Sequence, residues 1–229
     1  MPTVALMPGT GSDADYLRRS FGPAVAESGW RLEALEPSEN LVEHYLTRLD
    51  ALAERGPLIV GGVSIGAAVG VRWAIDAGPG PCAGVLAALP PWSGVPGDSL
   101  AALSARITAD SLERDGLEAT VAAMAADSPD WLAAELSRSW RALAPRGLVA
   151  QLRSASSYTA PTLDELSGLH VPLAVAGAPD DPLHPIAVAR AWTAAAPRAA
   201  LTEIPLELWG PEERLLGDAC VSAWRRVVR

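Results

Sequence analysis

Three consecutive apolar residues, Leu58, Ile59 and Val60, run without a polar break into a glycine-rich bend and then into a helical stretch, residues 67–77. A strand with no polar alternate is covered on both faces, the condition at the centre of a parallel sheet. Parallel neighbours need long crossovers, so the rest of the chain must supply further strands separated by helices.

The flanking sequence follows that rhythm. Residues 3–7 are β-prone and end at Pro8-Gly9-Thr10-Gly11, after which Asp13 can cap a helix carrying Tyr16, Leu17, Phe21 and Val25. A second strand is expected over 30–35. A helix follows with Leu41, Tyr45, Leu49 and Leu52 on one stripe, ended by Gly56-Pro57. Residues 82–89 form a fourth strand. From 98 to about 157 the chain is rich in alanine and leucine, with helix-start signals at Asp98-Ser99 and Ser128-Pro129-Asp130 and no convincing strand. This stretch reads as an inserted helical cap plus the next crossover helix. Strand pattern resumes at 171–176, helix at 185–195 and strand at 200–204, before a closing helix from about Pro211. The expected fold class is α/β, a mainly parallel, doubly wound, six-stranded sheet within a single domain over 1–229.

Composition narrows the chemistry. With 49% apolar residues, 229 positions fill one core and are too few for two comfortable enzyme domains. The net charge of −9 leaves no basic surface for nucleic-acid phosphates or anionic lipid, so a small-molecule substrate is the expected partner. All 18 basic residues are arginine, which excludes Schiff-base chemistry, pyridoxal anchoring and a P-loop lysine. Cys82 and Cys220 stand far apart without metal-ligand spacing, and no metal or cofactor is implied. There is no basic leader, and no apolar run approaches the ~20 residues that span a bilayer. The expectation is a soluble, cytoplasmic protein. Oligomeric state is not legible.

Gly62-Val63-Ser64-Ile65-Gly66 satisfies G-x-S-x-G between a buried strand and a helix. The turn is so sharp that side chains two residues before and after the serine would collide, which suits Gly62 and Gly66. It lifts the Ser64 hydroxyl clear of the sheet and aims the Ile65 N–H into the same space, at a helix N-terminus that favours developing negative charge. The competing reading is a plain glycine-rich turn with an incidental serine.

On these residues the chain resembles the α/β-hydrolase family, over nearly its whole length. The resemblance implies serine-dependent ester hydrolysis or acyl transfer and a strand order of 4-3-5-6-7-8 in the family's numbering, the family's first two strands being absent. It makes Pro8-Gly9-Thr10-Gly11-Ser12-Asp13 the oxyanion loop, with Thr10 giving the second backbone N–H. It places the acid in Gly177-Ala178-Pro179-Asp180-Asp181-Pro182-Leu183-His184-Pro185, where Asp181 fits better than Asp180 because proline follows it.

The family's histidine follows its last strand, and the corresponding residues 205–210 contain none. His170 precedes its strand and lies at the wrong end of the sheet, and His44 sits in mid-helix. His184 alone is in a loop at the correct edge, three residues after Asp181, a spacing far shorter than the family's. It either serves as the base or fixes the Asp-Pro loop by local bonding. Glu207 is a weaker candidate base. Without a base, the same fold would suit a cyclase, a lyase or a ligand binder. Gly9-Thr10-Gly11-Ser12-Asp13-Ala14 also fits G-x-G-x-x-A, with Glu33 or Glu36 placed to hold a ribose, so an NAD(P)-binding oxidoreductase is a third reading. Against it, Asp13 would oppose a pyrophosphate. Trp92 and Trp131, with Trp140, either line an apolar pocket or join cap to core. The arginines of residues 106–153 read as solvated helix faces paired with neighbouring carboxylates.

Overall fold

The first strand, β1 (Thr3–Met7), leads through a tight loop into α1 (Ala14–Ser20) and α2 (Gly22–Glu27), then β2 (Arg31–Ala34) and α3 (Leu41–Ala53). Next come β3 (Leu58–Val63), α4 (Ile65–Ala77) and β4 (Cys82–Ala88). The helical insertion follows: α5 (Leu100–Asp115), α6 (Leu117–Ala126), α7 (Asp130–Leu143), a single 3-10 turn (Ala144–Arg146) and α8 (Leu148–Ser157). The chain closes with α9 (Leu163–Ser167), β5 (Leu173–Gly177), α10 (Ile186–Ala195), β6 (Ala199–Glu203), α11 (Leu206–Trp209) and α12 (Arg214–Val227). This computed structural model describes every residue, 1–229.

All five strand pairings are parallel and the order is β2-β1-β3-β4-β5-β6. That is the expected order, renumbered along this chain. Alternation along the strands divides the core in two. Ala5, Met7, Leu58, Val60, Val85, Ala87, Leu173 and Val175 face one side, where Tyr45, Leu49, Val69 and Trp192 of α3, α4 and α10 cover them. Val4, Leu6, Ile59, Leu86, Ala174 and Ala176 face the other, under Leu17, Phe21, Val25 and Leu216 from α1, α2 and α12. Both faces are dry, which is why the central strands read as apolar runs rather than alternating ones.

The insertion has a small core of its own, built from Ala105, Ala109, Val121, Trp140, Leu143, Leu148 and Leu152. Because the sheet is parallel, every strand-to-helix loop opens at one rim. The order reverses between β1 and β3, so the loops after these two strands flank the crevice where open α/β sheets bind ligands. No helix is long and apolar enough to cross a membrane.

Candidate active site

Ser64 ends β3 and precedes α4. Its backbone has φ 53° and ψ −114°, a left-handed conformation that a non-glycine residue holds only under strain. Its amide donates to the Ala88 carbonyl at 2.9 Å, fixing the bend against β4. A Cβ on Gly62 would come within 1.9 Å of the Met7 carbonyl oxygen, and one on Gly66 within 2.1 Å of the same atom. The glycines of the motif are therefore required, but the first obstacle is the backbone of β1, not the other flank of the turn. Ser64 is 8% exposed at the carboxyl rim of the sheet.

The loop after β5 brings two more groups to that point. The Ser64 hydroxyl donates to His184 Nε2 at 3.0 Å, and His184 Nδ1–H donates to Asp181 Oδ2 at 2.8 Å. A carboxylate facing Nδ1 fixes that tautomer and leaves Nε2 as the acceptor. Asp181 Oδ1 accepts from the amides of Leu183 (2.8 Å) and His184 (3.2 Å). The acid is thus wrapped by its own loop, and the histidine three residues on is folded back over it. Burial by itself would raise the Asp181 carboxyl. The His184 hydrogen bond and charge, with the two amides, outweigh burial and hold it below the ordinary carboxylate value.

Asp180 does a different job. It accepts from the amides of Leu206 (2.6 Å) and Glu207 (3.3 Å) and so caps the start of α11. The Leu206 amide leads in lowering its pKa. This ties the acid loop to the segment after β6. That segment is a short helix with Trp209 buried, and Glu207 within it is exposed. His170 is exposed ahead of β5, and His44 is half-buried on α3 beside Tyr45.

The loop after β1 lies against the serine: a Cβ on Gly9 would stand 3.7 Å from Ser64 Cβ. Neither the Thr10 N–H nor the Ile65 N–H donates to any acceptor in the protein. Ile65 opens the 13-residue helix α4, so its free N–H carries the positive end of that dipole.

The tryptophans sit where the insertion meets the body. Trp92 is buried in the main core, with its indole N–H donating to the Tyr158 carbonyl at 3.1 Å. Trp131 stacks edge-on to Trp209 at 5.9 Å, and its ring closes over Gly210. Trp140 is buried against Gly11. Arg138 pairs with its neighbour Glu135 at 2.6 Å, as expected, and in addition forms a bidentate pair with Asp13 at 2.7 and 2.9 Å. A separation of 125 residues leaves no sequence signal for that pair. Two open clefts, of about 560 and 440 Å³, lie at the opposite rim around Trp73 and Arg31, and neither reaches Ser64.

No protein-family model and no curated protein matches the chain by sequence. Solved structures do match by shape. A bromoperoxidase from Bacillus anthracis superposes with a TM-score of 0.74 at 16% identity, covering 98% of this chain and 92% of that one. A thermophilic esterase from Thermogutta terrifontis gives 0.71 at 18% identity, covering 99% and 90%. MenH from S. aureus gives 0.73 at 13% identity, covering 100% and 95%. The chain has the α/β-hydrolase fold.

Within that α/β-hydrolase fold, Ser64 lies at the bend between β3 and α4 and Asp181 in the loop after β5. Besides its six strands, the chain departs from the pattern that the sequence resemblance implied in where its histidine stands. The imidazole beside the serine comes from the same loop as Asp181, and α11 follows β6.

Proposed function

We propose that the protein is a serine hydrolase that cleaves or transfers the acyl group of a small, apolar carboxylic ester. The observation that carries this reading is the unbroken relay from Asp181 through His184 to Ser64, with bonds of 2.8 and 3.0 Å. In this reading Ser64 Oγ attacks the acyl carbon while its proton passes to His184 Nε2. Asp181 stabilises the imidazolium without itself taking the proton. The carbonyl oxygen, now carrying negative charge, accepts from the N–H groups of Ile65 and Thr10. The C–O bond to the leaving group breaks as His184 returns its proton to the departing alkoxide. Water, or an acceptor alcohol or thiol, then repeats the cycle on the acyl-enzyme, giving its proton to His184 and releasing Ser64. In this reading Trp131, half-buried against Trp209, is the residue that would border an apolar substrate.

The non-hydrolytic reading drew its force from the lack of a histidine after the last strand. An imidazole nitrogen 3.0 Å from the serine removes that ground. The dinucleotide reading needs a pyrophosphate at the start of α1, where Asp13 accepts from the Tyr16 amide and from Arg138.

A serine-directed fluorophosphonate should label the wild type and not Ser64→Ala, and a chromogenic short-chain ester should be turned over. Positioned proton transfer contributes ~10²–10⁴ in rate, so His184→Ala should lower kcat by about that factor. A well-folded wild type that takes no label and hydrolyses no ester would return the fold to a ligand-binding or non-hydrolytic role.

A further inference from the structure

Two tripeptides far apart in sequence, Gly11-Ser12-Asp13 and Arg138-Ser139-Trp140, lie face to face. The Asp13 carboxylate is 7% exposed; it caps α1 through the Tyr16 amide at 3.2 Å and receives both Arg138 nitrogens. Ser139 is fully buried, and its hydroxyl donates to the Gly11 carbonyl at 2.7 Å. Gly11 has φ 75°, and a Cβ there would come within 2.7 Å of Trp140 Nε1. Consecutive residues of α7 therefore engage the carboxylate, the carbonyl and the α-carbon of one short loop.

The grip is braced from behind. Glu135 accepts from Arg138 at 2.6 Å and from Arg19 at 2.6 Å, and Arg19 also holds Asp15 and, at the start of α12, Glu213. Together these bonds leave the 9–13 backbone little freedom to move relative to α7. Thr10 stands between Gly9, which lies against Ser64, and the clamped Gly11, and its N–H is unspent.

We propose that Arg138 and Ser139 are positioning residues that set the Thr10 N–H at the distance an acyl oxyanion requires, so that the helical insertion completes the oxyanion hole. This rests on the serine-hydrolase reading. Misplacing a reacting group by about 1 Å costs up to ~10² in rate, and losing one oxyanion donor costs ~10²–10³. Because the hole is used in the transition state more than in the ground state, the loss falls on kcat and not on KM. Neither side chain need touch the substrate.

The test is hydrolysis of p-nitrophenyl butyrate, with inhibition by phenylboronic acid as a probe of the tetrahedral state, across Arg138→Ala, Arg138→Lys, Ser139→Ala and the control Arg141→Ala. Arg141 lies on the same helix but pairs only within the insertion, with Glu118. Arg138→Ala should lose about 10–100-fold in kcat with KM within about twofold, and boronate affinity should fall in parallel. The lysine variant, with a point charge in place of a fork, should recover part of the loss, and Arg141→Ala should match the wild type. Unchanged kcat in both Arg138→Ala and Ser139→Ala, or a loss confined to KM, overturns the proposal. If Arg138→Ala does not fold, Arg138→Lys and Ser139→Ala decide, each removing only part of the clamp. If the wild type neither takes the fluorophosphonate nor turns over ester, the hydrolase reading fails and the oxyanion role falls with it. Amide exchange over residues 8–16 then reads the clamp alone: faster in Ser139→Ala if the grip exists, unaltered if it does not.

Discussion

The residue with the most concentrated chemistry is Asp181, which binds its own loop amides and the imidazole at once. Its carboxyl sits lower in the folded chain than the ~3.9 of an unfolded aspartate. A depressed folded value means that the carboxylate stabilises the fold fully above about pH 4 and loses that contribution as pH falls through the folded value. The Tm gap between wild type and Asp181→Asn should therefore be present at neutral pH and close as the solution is acidified below about 4. A gap that persists or widens in acid would show that the variant perturbs the loop by another route. Ser64 makes the opposite kind of contribution. Its φ of 53° costs ~1–3 kcal/mol, and glycine takes that conformation freely at an entropic penalty of ~0.5–1 kcal/mol. Ser64→Gly should be inactive yet more stable by about 1 kcal/mol, seen as a Tm rise of ~2–4 °C. A Tm at or below that of the wild type would mean that the bend is unstrained.

At the scale of elements, the bend after β3 is held by what it touches. Met7 presents its carbonyl to both Gly62 and Gly66, so a methyl group at either would have to displace β1. Gly66→Ala should cost about 3 kcal/mol, the upper end of overpacking penalties, and should abolish serine labelling because the displaced strand carries the Thr10 loop. Chemical denaturation with unchanged m-value reads the first effect. The strands themselves were legible because each interior one is buried on both faces and leaves an apolar run bounded by Gly and Pro. The helices α3 and α4 were legible for their stripes, and residues 98–157 for lacking strand pattern. Short helices escaped: α9 and α11 have five and four residues, too few for a periodicity to register. Ser64, Asp181 and His184 could each be picked out by sequence. What could not be read was their closure to hydrogen-bond distance, because it depends on the Asp181 loop turning back on itself. The Met7 obstacle was equally hidden, since only sheet pairing brings β1 against the bend. The Arg138–Asp13 pair was missed because the neighbouring Glu135, with which Arg138 does pair, was explanation enough for the arginine.

At the scale of the molecule, the insertion is a satellite with its own small core. It meets the body through the Arg138–Asp13 and Arg19–Glu135 pairs, the Ser139–Gly11 bond, Trp131 on Trp209 and Arg146 on Glu36, besides Ala102 and Ala155, which join the main core, and the packing of α8 on α3. The three charged attachments, Arg138–Asp13, Arg19–Glu135 and Arg146–Glu36, are partly exposed at the arginine end, so salt screens what they add, least for the bidentate pair on the buried Asp13. The apolar seam carries more of the docking energy. A unit with its own core, docked at its α6–α7 end mainly through side-chain contacts, opens at a free energy below that of global unfolding. Native-state amide exchange should accordingly find α6 and α7 opening before β3 and α4. Removing the Trp131 ring deletes half of an aromatic pair and part of the cover over Gly210, a loss of about 1–2 kcal/mol for a half-buried side chain. In Trp131→Ala the opening free energy of α7 should drop by that amount while the slowest amides of β3 hold theirs. If α7 amides exchange only when β3 does, the insertion is part of the global unit. The loop after β1 would then need no clamp of its own to stay in place.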